Sequence, residues 1–245
     1  MIVRNDIITE ANLVQQSFIG NRLALDALNP ASYPGSGNKW YDLSGNNNTI
    51  TLFNEPTYSN GALTFNGTTQ YGSRTSTPSL NIDGPSISLE VWFNLNTFTD
   101  TVFASKAPYN GGPNYQNGNY SFWTGPDFTI FVSQDDTASK PNFLRIDSPG
   151  GVSSGNWYQF VITYNNPYAY YYLNGSLVAR LPRYGDNVEY GYNDLFRTSS
   201  DFRITGRPDG YGFIDGSISV MNLFDYALTE DQVLYNYNFY SQRYI

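Results

Sequence analysis

Along Ser86-Ile87-Ser88-Leu89-Glu90-Val91-Trp92-Phe93-Asn94 the apolar residues Ile87, Leu89, Val91 and Phe93 fall at every second position. Successive side chains of an extended chain point to opposite faces, so these four share one face and predict a strand with a buried side. The run from Trp157 to Tyr164 has another pattern, with Trp157, Val161 and Thr163 on one face and Tyr158, Phe160, Ile162 and Tyr164 on the other. Large side chains on both faces place that strand centrally in a sheet, covered from two sides. Next, Tyr170–Leu173 and Ser176–Ala179 flank Asn174-Gly175, a pair suited to the positive φ angles of a type I′ turn, which predicts a β-hairpin.

Further strands are predicted over 62–65, ended by Asn66-Gly67, and over 128–133, 143–147, 202–205 and 214–224. So many short strands predict a sandwich of two sheets. At the C-terminus the period changes. Thr229-Glu230-Asp231-Gln232 reads as a capping box, and Leu228 and Val233 are spaced as a hydrophobic staple, so a helix is expected from Glu230 to about Tyr240. Val233, Leu234 and Tyr237 give it one face to lay on the sandwich.

Composition narrows the picture. The chain has 245 residues, of which 17% are aromatic and only 14% charged, with 22 Tyr and 16 Phe, a balance that favours pleated strands over helices. Residues 21–245 are expected to form one domain, and residues 1–20 an N-terminal arm or added element. A net charge of −8 without a Lys/Arg cluster argues against nucleic acid as a partner. The N-terminus lacks a basic segment followed by an apolar run, and no stretch approaches the roughly 18 apolar residues of a membrane span. A soluble protein made without a Sec signal peptide is expected.

The absence of His and Cys removes Ser-His-Asp and Cys-His chemistry, thiolate nucleophiles and the commonest zinc ligands, and there is no P-loop motif. Two long segments instead carry binding chemistry. Residues 105–126 hold Tyr109, Tyr115, Tyr120 and Trp123 among Asn and Gly, and residues 182–201 hold Tyr184, Tyr190, Tyr192 and Asp194. Aromatic rings stack on the C–H faces of pyranose rings while amides and carboxylates fix hydroxyls, and the same rings also serve protein–protein contact. Both kinds of partner stay open at this point. The tyrosines of Tyr168–Tyr172 alternate along a strand, half for the core and half for a pairing face.

The order of motifs resembles laminin-G-like domains of the concanavalin A-like lectin/glucanase superfamily. Leu25-Asp26-Ala27-Leu28-Asn29-Pro30 and Trp40-Tyr41-Asp42-Leu43-Ser44-Gly45-Asn46 resemble the opening of such domains. Leu63–Gly67, Leu89–Phe93, Gly155-Asn156-Trp157, Tyr172–Gly175 and Phe213–Ile218 follow in the same order, and Tyr226–Val233 with Asn236-Tyr237 closes it. The resemblance implies an all-β, concanavalin A-like jelly-roll sandwich of two antiparallel sheets with a short C-terminal helix. Hydrolases of the superfamily carry Glu-x-Asp-x-x-Glu or a near variant along one strand, which suits a reaction needing two carboxyl groups. Here Glu90 stands without a second acid at alternate spacing, so a non-catalytic module is expected ahead of a divergent glycoside hydrolase.

Openings and endings of this kind are similar to those of virion proteins of phages and large viruses. The implied role is a structural module of the virion surface, in capsid decoration, a tail or a fibre. Its partners would be other virion proteins, further copies of itself, and cell-surface or environmental polysaccharide. The alternative is a carbohydrate-binding, lectin-like module. Relatives often hold calcium on a rim loop, which makes Asp127, Asp135, Asp136 and Asp147 the candidate ligands for a structural Ca2+, the sole cofactor expected.

Overall fold

A computed structural model of the chain describes residues 20–107, 120–124, 129–132, 143–144, 151–182, 195, 197–207 and 210–244. Sixteen strands are present among them: β1 Asn21–Asp26, β2 Lys39–Trp40, β3 Ile50–Phe53, β4 Thr57–Ser59, β5 Ala62–Asn66, β6 Tyr71–Arg74, β7 Ser86–Leu95 and β8 Thr101–Lys106. The remainder are β9 Tyr120–Thr124, β10 Thr129–Val132, β11 Phe143–Leu144, β12 Tyr158–Asn165, β13 Tyr168–Leu173, β14 Ser176–Pro182, β15 Phe202–Ile204 and β16 Asp215–Phe224, followed by helix α1, Glu230–Ser241. All pairings are antiparallel.

The strands form two sheets. The first has the order β14-β13-β12-β7-β16-β5-β4, with β1 also paired to β16, and the second has β11-β10-β9-β8-β15-β6-β3-β2. Between them lies one core. Ile87, Leu89, Val91 and Phe93, the four residues of the alternating run, face Phe103, Phe122, Phe202 and Ile204 of the second sheet. The rings of Phe93 and Phe103 lie 5.0 Å apart, so the two inner faces interdigitate directly.

β12 lies between β7 and β13, as its two-sided pattern predicts. Phe160, Ile162 and Tyr164 enter the central core, while Val161 enters a separate cluster with Leu228 and Val233. That second cluster is where α1 packs on the outer side of the first sheet. The expected capping box is formed: Thr229 Oγ1 accepts from the Gln232 backbone N–H, and Gln232 Oε1 accepts from the Thr229 N–H. The hairpin turn also forms, with φ of 49° at Asn174 and 77° at Gly175. A Cβ on Gly175 would lie 3.0 Å from the Tyr237 ring and Cβ, so this glycine also permits the turn to pass under the helix.

The segment 105–126 is not wholly loop. Tyr120–Thr124 forms β9, which pairs with β8 and β10. Residues 1–19, most of the expected arm, lie outside the described residues.

Candidate functional site

The two outer faces of the sandwich differ. On the first sheet's outer side α1 packs over β7, β12 and β16, and beneath it Glu90 is wholly buried. Its Oε1 accepts from Gln159 Nε2 at 2.7 Å, and its Oε2 accepts from Asn236 Nδ2 at 2.8 Å and Asn222 Nδ2 at 3.1 Å. Burial raises the Glu90 pKa, against the lowering effect of these amide donors. A carboxylate enclosed by three amides and a helix ties α1 to β7, β12 and β16 and has no path to a substrate. Nearby, Trp92 stacks on Tyr237 and Tyr244, and Trp157 stacks on Tyr244, which completes the helix-side packing.

The second sheet's outer face follows from the same period-two rule. On β2, β3, β6 and β15, Trp40, Ile50, Leu52, Phe202 and Ile204 turn inward and are buried. The intervening residues, Lys39, Thr51, Phe53, Tyr71, Ser73 and Arg203, therefore turn outward. Cross-strand pairing sets Lys39 opposite Thr51, Thr51 opposite Ser73, and Ser73 opposite Arg203, one row across four strands. Lys39 Nζ donates to Thr51 Oγ1 at 2.7 Å.

Beside that row Phe53 pairs with Tyr71, their rings stacked at 4.7 Å and 11°. The Arg203 guanidinium lies 4.2 Å from the Tyr71 ring centroid. β6 runs between β3 and β15, so Tyr71 is flanked by the Phe53 ring on one side and the guanidinium on the other. Phe53, at the open end of this stack, is 39% exposed. An apolar ring held upright at the surface, beside hydroxyl and cationic groups, matches the needs of a saccharide: a stacking surface for C–H bonds and donors for oxygen.

Farther along the same face lies a second aromatic group. Trp123 is outward on β9, opposite Val102 of β8, with the Tyr211 ring 6.3 Å away and the Arg207 guanidinium 5.1 Å from its centroid. Its Nε1 donates to Ser121 Oγ at 2.6 Å. Trp123 is only 7% exposed, whereas Tyr211 is 47% exposed, so the accessible ring of this pair is Tyr211.

Of the aromatic residues singled out by sequence, Tyr120 belongs to the core. It is 1% exposed, faces Phe122 and Phe202, and its hydroxyl donates to the Leu80 carbonyl at 3.1 Å. Strand alternation turns it inward, which removes it as a surface contact. Trp123 is likewise packed rather than freely offered. Tyr109, Tyr115, Tyr184, Tyr190, Tyr192 and Asp194 lie outside the described residues, as do Asp127, Asp135, Asp136 and Asp147. Among the described residues no cluster of three or more acidic side chains is placed to hold a metal, and no helix is long and apolar enough to cross a membrane. Phe53, Tyr71, Arg203 and Lys39 are not among the residues that composition and motifs single out. The signal was present in Ile50-Thr51-Leu52-Phe53 and Phe202-Arg203-Ile204, where inward apolar residues alternate with an outward aromatic or cationic one.

The family model of the concanavalin A-like lectin/glucanases superfamily, in its laminin-G form, matches residues 66–234. The chain belongs to this superfamily. Solved jelly-roll structures agree with that placement. The binding domain of Paraclostridial mosquitocidal protein 1 superposes with a TM-score of 0.66 at 14% identity, covering 92% of this chain and 53% of that one. The ligand-binding domain of botulinum neurotoxin serotype D, in complex with N-acetylneuraminic acid, gives 0.63 at 13% identity, covering 92% and 52%. Trypanosoma rangeli sialidase in complex with sialic acid gives 0.58 at 15% identity, covering 90% and 32%. This superfamily member thus spans about half or less of each of these chains, and at such identities the likeness is one of fold. A search of curated proteins returns no significant match.

Proposed function

We propose that this chain is a non-catalytic, lectin-like module that binds carbohydrate on the outer face of its second sheet. The observation that carries the reading is the Phe53–Tyr71–Arg203 stack. An aromatic ring is held upright at the surface of a sheet, next to the outward hydroxyls of Thr51 and Ser73. Support also comes from the similar structures, among them binding domains, one holding N-acetylneuraminic acid, and a sialidase holding sialic acid. A stacking ring commonly supplies about 1 kcal/mol beyond its area, and together with that area its loss weakens binding by about tenfold or more.

The test is a glycan array followed by calorimetry on the saccharides retained, with wild type beside Phe53→Ala. The expected result is retention of at least one saccharide class, and a loss of about tenfold in affinity in the variant, whose thermal midpoint falls by only a few degrees with the loss of the ring pair so that it stays folded in the assay. Full affinity in Phe53→Ala would remove the second-sheet face as the site. Failure to bind any saccharide, together with a stable oligomer in light scattering, would move the reading to the virion-surface module that the motif order implies. Running both assays with calcium and with a chelator tests a contribution from Asp127, Asp135, Asp136 and Asp147.

A further inference from the structure

We infer that the second-sheet face selects an anionic saccharide, one bearing carboxylate or sulfate, held between Lys39 and Arg203. This deepens, and rests on, the carbohydrate-binding reading above. The molecule carries a net charge of −8, with 21 acidic residues against 13 basic ones. On this face the balance is inverted. The outward positions of β2, β3, β6 and β15 are Lys39, Thr51, Phe53, Tyr71, Ser73 and Arg203, two cations and no carboxylate. Asp201 and Glu55 stand beyond the strand ends, outside the row.

The row from Lys39 through Thr51 and Ser73 to Arg203 crosses three strand spacings, about 14 Å. A cation stands at each end, two hydroxyls lie between, and the Phe53–Tyr71 stack borders one side. Both cations are positioned before any ligand arrives: Lys39 by its bond to Thr51 Oγ1, and Arg203 by the Tyr71 ring, with its guanidinium carbon 4.2 Å from the ring centroid. A guanidinium held over a ring by its carbon still offers N–H donors to the oxygens of a carboxylate or sulfate. Among the described residues Arg203 has no carboxylate to neutralise it, in a protein where acids outnumber bases. A neutral glycan would use the ring and hydroxyls and leave both cations idle, whereas an acidic chain engages the whole row.

The experiment measures binding of matched pairs by calorimetry: oligogalacturonate against its carboxyl-reduced counterpart, and dextran sulfate against dextran. The expected result is that at least one acidic member binds about tenfold or more tightly than its neutral partner, as a charge-assisted hydrogen bond requires. The pair showing the preference tells carboxylate from sulfate. Arg203→Gln keeps a planar group for Tyr71 but no charge, and Lys39→Gln changes an exposed residue; each should lower the acidic-to-neutral ratio by about tenfold. Phe53→Ala should weaken acidic and neutral members alike. Equal binding of acidic and neutral members, or a preference that survives both Gln variants, would overturn the anionic assignment while leaving carbohydrate binding in place. Binding of no member of either pair, with other saccharides retained on the array, would also overturn it. An array that retains nothing would remove both readings.

Discussion

At the scale of single residues, the molecule separates groups buried for structure from groups displayed for contact. Lys106 belongs to the first kind. It is fully enclosed, and its Nζ donates to Ser76 Oγ at 2.9 Å and to the carbonyls of Thr198 at 2.8 Å and Ser200 at 2.6 Å. Burial pulls its pKa from the ordinary 10.5 down to about 8, against the opposing pull of Asp201. Between those two values the unfolded chain binds more protons than the folded one, so stability rises with pH across that window and is lost as pH falls through about 8. Denaturant titrations from pH 7.5 to 9, below the range in which ionising tyrosines of the unfolded chain oppose it, should show this rise in wild type, and Lys106→Met should remove the Lys106 contribution. A variant with the same slope as wild type would mean the ammonium is better hydrated than its enclosure implies. Glu90 is the helix-side counterpart. Its solitary position in Ser88-Leu89-Glu90-Val91-Trp92 argues against a paired-carboxylate site, and its three amide partners supply the structural use.

At the scale of elements, legibility followed periodicity. The strand over Ser86–Leu95, the central strand over Tyr158–Asn165, the Asn174-Gly175 hairpin and the capped helix each rest on interactions within a few residues or on a run long enough to show its period. β2, β3, β4 and β6 are two to four residues long, so any alternation in them covers at most two repeats, and they stand because their neighbours pair with them. Three of these four lie in the second sheet, and with β15 they carry the candidate site. The candidate site therefore lies in the part of the sequence where local signals are weakest, whereas the richer aromatic segments include residues such as Tyr120 that serve the core. The helix permits a clean element-scale test. Thr229→Ala removes the acceptor for the Gln232 N–H and should cost about 1 kcal/mol in chemical denaturation. Saccharide affinity should not change, because α1 packs on the other sheet; a parallel loss of affinity would show that the two faces are coupled.

At the scale of the whole molecule, the helix side of the sandwich carries a long-range tie that stitches the chain's C-terminal region to the first described strand. Arg243, just beyond α1, donates from Nη1 and Nη2 to Asp26 Oδ1 and Oδ2, both at 2.8 Å, joining residues 217 positions apart. Asp26 is 2% exposed and lies at the end of β1, paired with Val220 of β16. The adjoining Tyr244 ring stacks on Trp92 and Trp157, both at 4.6 Å, so the clasp and the ring stack close the helix-side layer together. Removing one partner of a buried ion pair leaves a charge that has lost its water without gaining a counter-ion, which typically costs about 3–5 kcal/mol. Arg243→Ala should therefore lower the thermal midpoint by about 6 °C or more for a domain of this size. Joined to Asp26→Leu, the same change should cost less than the single substitutions together, because no orphaned carboxylate remains. Full additivity in that cycle would show that Asp26 and Arg243 act separately. If saccharide binding holds at temperatures where Arg243→Ala is still folded, stability resides on the helix side of the sandwich and recognition on the other.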